Sequence, residues 1–217
     1  MPAPFRFKFH RQTLWLSASR CILWEEESVL VVSDLHFGKS GHFRKSGIGI
    51  PQNIFKNDLQ RLFSQIEFFK PKILLVTGDM FHSAANKELD LFLKWRNDIS
   101  CVEFYLIKGN HDILDKGFYK KAGIQVFANK LSVGNFCFTH DVASACDEKL
   151  FTFSGHIHPG IKMDGLAAQS LMLPCFYFGK KYAVLPAFSQ FTGLSKMKPL
   201  ASDHVFAIVE NDIIKIQ

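Results

Sequence analysis

The chain has 217 residues, 47% of them hydrophobic and 21% charged, with a net charge of +6. At about 150 residues per domain this length predicts one domain over residues 1–217, and the apolar content excludes a disordered chain. No run reaches the roughly 18 apolar residues that span a bilayer, so we expect no membrane segment. Five scattered cysteines predict reduced, mostly buried thiols in a cytoplasmic protein.

The first half of the chain alternates apolar runs with amphipathic segments. The predicted strands are residues 14–16, 21–24, 28–33, 73–77 and 102–107. Helices are predicted from Pro51 onward and over residues 87–98, where apolar residues recur at helical spacing. Strand, loop, helix and strand in succession are typical of a parallel α/β sheet. Residues 1–9 alternate basic and aromatic side chains and lack the apolar stretch of a signal peptide.

The second half of the chain is richer in short, turn-bounded strands. Gly134 and Asn135 between two apolar runs predict a hairpin of residues 131–133 and 136–138. Further strands are predicted at 151–154, 171–178, 182–185, 205–209 and 213–216. We therefore expect an α/β fold in which two mixed sheets pack face to face with helices on the outer faces, a four-layer αββα sandwich.

Polar residues with metal-binding chemistry follow five of the predicted strands. They are Asp34 and His36, then Asp79, then Asn110, His111 and Asp112, then His140, and finally His156 and His158. Open α/β sheets bind ligands beyond the carboxyl ends of their strands. Each motif alone is weak, because Gly-Asp pairs are common in turns and single histidines are often structural. Their occurrence at five strand ends is what indicates a site.

The number of candidate ligands indicates two metal ions. The candidates are Asp34, His36, Asp79, Asn110, His140, His156 and His158. A catalytic zinc takes only three protein ligands, whereas seven fit two ions about 3.5–4 Å apart that share a carboxylate. Asp79 is the natural bridge, and Gly78 and Gly109 would let the backbone approach closely. Asp34 and His36 are two residues apart and would point the same way on an extended segment.

The charge of such a site favours a phosphate substrate. Two divalent ions, two aspartates and a bridging hydroxide sum to about +1, which attracts a phosphate oxygen. The bridging hydroxide would be the nucleophile, since bound metals lower the pKa of water. His111 is not needed as a ligand and would act as general acid on the leaving oxygen. Asp112 would orient the His111 ring and hold it protonated.

Taken together, these motifs resemble the calcineurin-like metallophosphoesterase superfamily over residues 30–160. The resemblance implies one ion held by Asp34, His36, Asp79 and His158, and a second held by Asp79, Asn110, His140 and His156. It also implies a two-sheet sandwich fold and two divalent ions, with manganese expected first and iron, zinc or nickel as alternatives. Nitrogen and oxygen ligands by themselves do not choose among these metals.

Further segments are similar to the bacterial DNA ligase-associated metallophosphoesterases. These segments are residues 34–51, 78–83, 185–188 and 191–193. The resemblance implies phosphodiester hydrolysis on nucleic acid, with DNA as the expected substrate, a role in DNA repair, and a DNA ligase and a helicase as partners. Protein serine/threonine phosphatases would continue Gly78-Asp79 with Val-Asp-Arg-Gly, which is not present here.

Three residues are candidates for substrate contact. Lys39 and Arg44 lie in a basic loop after the first ligand pair, where Arg44 would clamp a phosphate through two hydrogen bonds. His82 would either line the pocket or cap the following helix. Three phenylalanines close to ligands would either stack on a base or, as the default, pack in the core: Phe37, Phe43 and Phe81.

Two other functions fit the motifs less well. A nucleotide or nucleotide-lipid pyrophosphatase, or a small-molecule phosphatase, belongs to the same superfamily, but lipid-hydrolysing relatives usually need an apolar insert that this chain lacks. A non-catalytic scaffold would typically lose metal ligands or the histidine that acts as general acid. This chain keeps all of the following: Asp34, Asp79, Asn110 and His111. The sequence does not indicate the oligomeric state.

Overall fold

The structure is a computed structural model that describes residues 2–39, 54–82, 87–144, 146–164 and 170–217. Within these residues, sixteen strands form two sheets, and three helices connect strands of the first sheet. The predictions on Phe43, Arg44 and the helix start at Pro51 lie outside the described residues.

The first sheet has seven strands in chain order. They are β1 (Phe5–Phe9), β2 (Gln12–Ser17), β3 (Cys21–Trp24), β4 (Val29–Val32), β5 (Ile73–Val76), β6 (Glu103–Ile107) and β7 (Ile124–Phe127). Strands β1 to β4 are antiparallel, and β4 to β7 are parallel. The helices that join the parallel strands are α1 (Ile54–Phe69), α2 (Lys87–Asp98) and α3 (Lys116–Lys121). The predicted parallel α/β unit is confirmed.

The second sheet has nine strands. They are β8 (Lys130–Val133), β9 (Phe136–Thr139), β10 (Phe151–Ser154), β11 (Pro159–Asp164), β12 (Ser170–Phe178), β13 (Tyr182–Val184), β14 (Ser195–Lys196), β15 (His204–Val209) and β16 (Asp212–Lys215). β10 lies between β9 and β13 and is parallel to both. The predicted β8–β9 hairpin is confirmed, and Gly134 at its turn has a φ of 53°.

A layer of aromatic side chains fills the space between the sheets. Trp24 of the first sheet contacts Phe136 of the second, with ring centroids 4.9 Å apart. Leu75 and Ile107 belong to the same buried cluster as Phe176. Aromatic rings bury large areas and gain further from edge-to-face contacts, so the high phenylalanine content builds the core that the two-sheet prediction requires.

The described helices all pack on one outer face of the sandwich. Phe55 of α1, Phe92 of α2 and Tyr119 of α3 join one cluster with strands of the first sheet. The outer face of the second sheet is covered among described residues by loop and strand side chains such as Ile157 and Met197. The expected helices on that face are not found in the described residues, where turns and loops connect the strands of the second sheet. No described helix is long and apolar enough to cross a membrane.

The first strand was not predicted, although its pattern was visible. Phe5, Phe7 and Phe9 alternate with basic residues, and the Phe7 ring lies 4.8 Å from that of Phe206. Alternation with a period of two is the signature of a half-buried strand. The other elements not predicted are β7, β11, β14 and α3.

The prediction that all cysteines are reduced is wrong for two of them. Cys137 in β9 forms a disulfide with Cys146, and their Cα atoms are 6.5 Å apart. The chain leaves β9 and turns back before entering the neighbouring strand β10, which brings the two thiols together. Cys21 and Cys175 are free and buried, whereas Cys101 is exposed.

Candidate metal centre

The five ligand motifs follow the carboxyl ends of β4, β5, β6, β9 and β10. Because these strands are parallel within each sheet and the sheets face each other, the motifs meet at one edge. Two clusters result, each with ligand atoms within 4.8 Å of one another. The first contains Asp34, His36 and His158, and the second contains Asp79, His140 and His156.

The first cluster has the spacing of a metal site. Oδ1 of Asp34 lies 3.4 Å from Nε2 of His158, which in turn lies 3.4 Å from Nε2 of His36. Donor atoms at about 2.0–2.2 Å from one ion are separated by roughly 3.0–3.5 Å. Oδ1 of the fully buried Asp34 has no hydrogen-bond partner in the described part of the chain. A buried carboxylate oxygen without a donor is what a cation would satisfy.

The other oxygen of Asp34 is held by the protein. Oδ2 accepts hydrogen bonds from the hydroxyl of Ser33 and, at 3.0 Å, from the backbone amide of His156. Ser33 was not singled out from the sequence, because a serine at the end of a strand carries no motif. Its contact fixes the direction in which Oδ1 points, which is the usual role of groups behind a metal ligand.

The second cluster is built in the same way. Nε2 of His140 lies 3.5 Å from Oδ2 of Asp79 and 3.1 Å from Nδ1 of His156. Nδ1 of His140 donates to the carbonyl oxygen of Thr77 at 3.1 Å, which leaves Nε2 free to bind a metal. Oδ1 of Asp79 accepts a hydrogen bond of 2.9 Å from the backbone amide of His111.

The donor sets fit divalent ions. Each cluster offers one carboxylate and two imidazoles, a combination that suits manganese, iron, zinc or nickel. Six of the seven predicted ligands lie in the two clusters. Asn110 is exposed on the loop after β6, next to the amide that binds Asp79. Coordination by Asn110 and the bridging role of Asp79 stay predictions.

Burial sets the protonation of the first cluster. Desolvation lowers the pKa of His36 to about 3, so its ring is neutral at physiological pH. Burial alone would raise the pKa of Asp34, but the nearby His158 ring and the hydrogen bond from Ser33 outweigh it and lower that pKa below its usual value. A neutral imidazole and an ionised carboxylate are the forms that bind metal.

Three motif glycines make room for ligands from other motifs. A Cβ on Gly78 would overlap the His140 ring, and a Cβ on Gly109 would overlap the Asp79 carboxylate. A Cβ on Gly155 would overlap the side chains of Ser33 and Asp34. The predicted close backbone approach at Gly78 and Gly109 is therefore confirmed, and each glycine serves a ligand that is distant in sequence.

The backbone of the ligand residues is left-handed, which corrects the expectation of an extended segment. Asp34 and His36 have φ values of 53° and 49°, Asp79 has 50°, and His156 and His158 have 65° and 53°. Hydrogen bonds to the neighbouring motif stabilise this path, including His36 N to Asp79 O at 2.8 Å. Non-glycine residues there cost about 1–3 kcal/mol each and persist where the surroundings hold them.

His111 and Asp112 lie beside the clusters, but not as a hydrogen-bonded pair. The His111 side chain is exposed, and its ring centroid is 5.7 Å from that of His36. The buried carboxylate of Asp112 accepts from the backbone amides of Phe81 at 3.0 Å and Gly109 at 2.9 Å. Burial raises the pKa of Asp112 to about 6. Asp112 therefore joins two ligand loops, which corrects its predicted role in orienting the imidazole.

The candidate substrate contacts lie around the first cluster. Lys39 is half-buried and lines a small pocket together with His36. Burial lowers the pKa of Lys39, while attraction to Asp34 and Asp79 opposes that shift. The His82 ring packs against the ring of His111 at 4.2 Å between centroids. Phe37 and Phe81 are buried in the core, as expected by default.

The comparison with known families decides the class of the protein. A family model described as calcineurin-like phosphoesterase matches residues 28–177, more than half of the chain. The chain belongs to this family. It is a metal-dependent hydrolase with the α/β fold of that family, so the predictions of superfamily, two mixed sheets and enzyme class are confirmed.

One solved structure is similar over nearly the whole chain. The nuclease MPE of Pseudomonas putida is 25% identical, covers 97% of this chain and 100% of its own, and superposes with a TM-score of 0.83. AQ665 of Aquifex aeolicus, a protein of unknown function, is 16% identical, covers 60% of this chain and 78% of its own, and has a TM-score of 0.46. The Yfce phosphoesterase of E. coli is 13% identical, covers 86% of this chain and 96% of its own, and also has a TM-score of 0.46. No curated protein sequence matches.

Proposed function

We propose that this phosphoesterase hydrolyses phosphodiester bonds in nucleic acid, with DNA as the first substrate to test. The observation that carries the proposal is the pair of three-ligand clusters side by side, with the exposed His111 next to them. Similarity to a protein described as a nuclease, over almost all of both chains, supports nucleic acid as the substrate.

The ligands are proposed to divide between two ions, with manganese first. Asp34, His36 and His158 hold one ion, His140, His156 and Asn110 hold the other, and Asp79 is shared. When bound, the two ions would lower the pKa of a water molecule and neutralise charge on the phosphate, which supplies the nucleophile for in-line displacement. Both aspartates point one oxygen at the cluster and use the other for a backbone amide.

His111 is proposed as the general acid. Its backbone amide is fixed by Asp79, and its ring packs against His82, so the imidazole is held at the open side of the ligands. A protonated imidazole there donates its proton to the departing oxygen. This contribution is typically 10²–10⁴-fold in rate. His82 positions the His111 ring, and Lys39 and Arg44 are proposed to contact phosphate oxygens.

The test measures how fast protein that has been stripped of metal and reloaded with manganese hydrolyses substrates with different leaving groups. The substrates are an aryl phosphodiester, the matching monoester, and single- and double-stranded DNA oligonucleotides. His111→Ala is expected to lose 10²–10⁴-fold on oligonucleotides, whose alkoxide leaving group needs a proton, and much less on the aryl ester. His10→Ala is the matched control, because His10 lies against Phe136 and Phe151 at the opposite, amino end of the second-sheet strands.

Each outcome of this test has a distinct meaning. Manganese-dependent cleavage of oligonucleotides that depends on His111 supports the proposal. Preference for the monoester, or turnover of nucleotide pyrophosphates alone, would replace the nucleic-acid substrate with a small molecule. Two bound ions without any turnover would favour a scaffold.

The finer implications of the family resemblance remain predictions. They are a role in DNA repair, location in the cytoplasm, and association with a DNA ligase and a helicase. Affinity purification of the tagged protein from its own host tests the association, and recovery of neither enzyme would argue against it.

A further inference from the structure

A sixth strand end reaches the metal centre and brings no metal ligand with it. β13 is parallel to β10, so the residues after β13 lie at the same edge as His156 and His158. The backbone amide of Phe188 donates to the carbonyl of Ser33 at 2.7 Å, and that of Ser189 donates to the carbonyl of Asp34 at 3.2 Å. The segment 185–193 therefore runs alongside the first-cluster aspartate.

Two arginines hold the backbone of this segment. Nη1 of Arg20 donates to the carbonyl oxygens of Ala187 at 3.1 Å and Ser189 at 2.9 Å. Nη2 of Arg61 donates to the carbonyl oxygen of Phe188, and its guanidinium lies 4.2 Å over the Phe188 ring. The carbonyl groups of three consecutive residues, 187 to 189, are thus fixed by Arg20 from the β2–β3 turn and Arg61 from α1.

A buried aspartate completes the clamp. Asp58 is 5% exposed and pairs with Arg61 at 2.9 Å. Burial raises the pKa of the Asp58 carboxyl, and the nearby Arg61, Ser189 and Gln190 oppose that shift. Burying charged groups is unfavourable unless each is paired and hydrogen-bonded. Here Asp58 pairs with Arg61, and both arginines donate to carbonyl groups of one short loop, so the cluster sets the position of that loop.

The clamped loop ends in an exposed aromatic side chain. Phe191 exposes 43% of its surface, whereas Phe188, three residues earlier, is fully buried. Phe191 and Lys39 line an open groove of about 430 Å³ together with Gln190 and Thr192. The same two residues also border the small pocket that contains His36, so the groove begins at the first cluster.

We propose that Phe191 is the stacking platform for the nucleobase adjacent to the scissile phosphate. The inference rests on the proposed function and names its substrate class, which is nucleic acid with an unpaired nucleotide at the cleavage site. Lys39 contacts the phosphate while the base lies on the Phe191 ring. Aromatic stacking tolerates any base and requires that the base be free of a duplex stack. The rigid clamp keeps the ring at a set distance from the ligands.

The experiment is a double-mutant cycle between the ring and a single base. The substrates are an aryl phosphodiester of thymidine and the same ester with an abasic sugar, hydrolysed by the manganese-loaded enzyme. Phe191→Ala is expected to lower kcat/KM for the thymidine ester about tenfold to a hundredfold and to leave the abasic ester nearly unchanged. Phe191→Trp is expected to restore the preference for the base.

The control separates stacking from a general effect of removing a phenylalanine. Phe68 of α1 is 47% exposed and does not line the groove, so Phe68→Ala should change neither ester. Equal losses on both esters with Phe191→Ala, or no loss on either, would overturn the inference. Cleavage of both esters without cleavage of any oligonucleotide would overturn the proposed function, and the cycle would still report on stacking.

Discussion

The two ligand clusters share a composition but differ in how the protein surrounds them. Asp34 of the first is fully buried, with one oxygen held by Ser33 and by the amide of His156. Asp79 of the second is fixed by the amide of His111, and the cluster includes the exposed His156. The first cluster is enclosed by the protein, and the second adjoins the proposed general acid.

Both clusters take ligands from both sheets. The first combines Asp34 and His36 after β4 with His158 after β10, and the second combines Asp79 after β5 with two histidines after β9 and β10. Neither can form before the sheets pack together. The comparison teaches that one edge of the sandwich supplies two sites of the same chemistry, of which one is more buried and the other includes an exposed histidine.

The largest effect is expected where the clusters are proposed to share a ligand. Asp79→Ala should remove both ions and lower turnover by at least about 10³-fold, since bound metals supply several kcal/mol of transition-state stabilisation. Asp34→Asn should weaken mainly the binding of the first ion. Metal content per chain after gel filtration checks both expectations.

A matched control separates the loss of a metal ligand from the loss of a buried aspartate. Asp203 is as buried as Asp79 but accepts from Tyr177 and Leu200, so Asp203→Asn should keep both ions. Circular dichroism of the aspartate variants should show an intact fold, because both ligands lie beyond strand ends. Full activity after Asp79→Ala would refute the shared-ligand assignment.

A glycine substitution should damage the second cluster alone. Gly78 has a φ of 92°, and a Cβ there would overlap the His140 ring. Gly78→Ala is expected to cost about 1–3 kcal/mol of unfolding free energy and to reduce the stoichiometry of tight manganese binding from two ions to one. Titration calorimetry of metal-stripped protein measures this.

The control for that variant is Gly193→Ala, because a methyl group at Gly193 meets no atom within 4 Å. It should alter neither the stability nor the stoichiometry. Two tightly bound ions in Gly78→Ala would show that the His140 ring does not need the space that the glycine leaves.

The smallest of these effects should be confined to the first cluster. Ser33→Ala removes the hydroxyl that holds Asp34 Oδ2. It should lower the affinity for the first ion by about 10–100-fold, as is typical when a group that hydrogen-bonds to a metal ligand is removed. Ser17→Ala is the control, since Ser17 is also buried and donates to Gln65 away from the site. An equal loss of affinity for both ions would show that Ser33 does not act on the first cluster alone.

Sequence reasoning selected six candidate ligands that the structure brings together in two clusters, because the signals that mark them are local. Asp34-x-His36 and His156-x-His158 each follow a recognisable strand, and parallel strands place their ends at one edge. The same reasoning misplaced Asp112, whose carboxylate binds two backbone amides, and it overlooked Ser33. The contact between Phe81 and Asp112 joins residues 31 positions apart, and the contact between Ser33 and Asp34 joins neighbours. Neither contact leaves a periodic pattern in the sequence.

What the sequence by itself determined is the parallel α/β order of the first half, the two-sheet architecture and the set of candidate ligands, because hydrophobic periodicity and residue chemistry act within short windows. The tertiary structure decided the left-handed backbone at Asp34 and Asp79, the division of six ligands into two clusters, and the Cys137–Cys146 disulfide. It also decided the clamp that presents Phe191. Each of these depends on which atoms come into contact once the chain has folded.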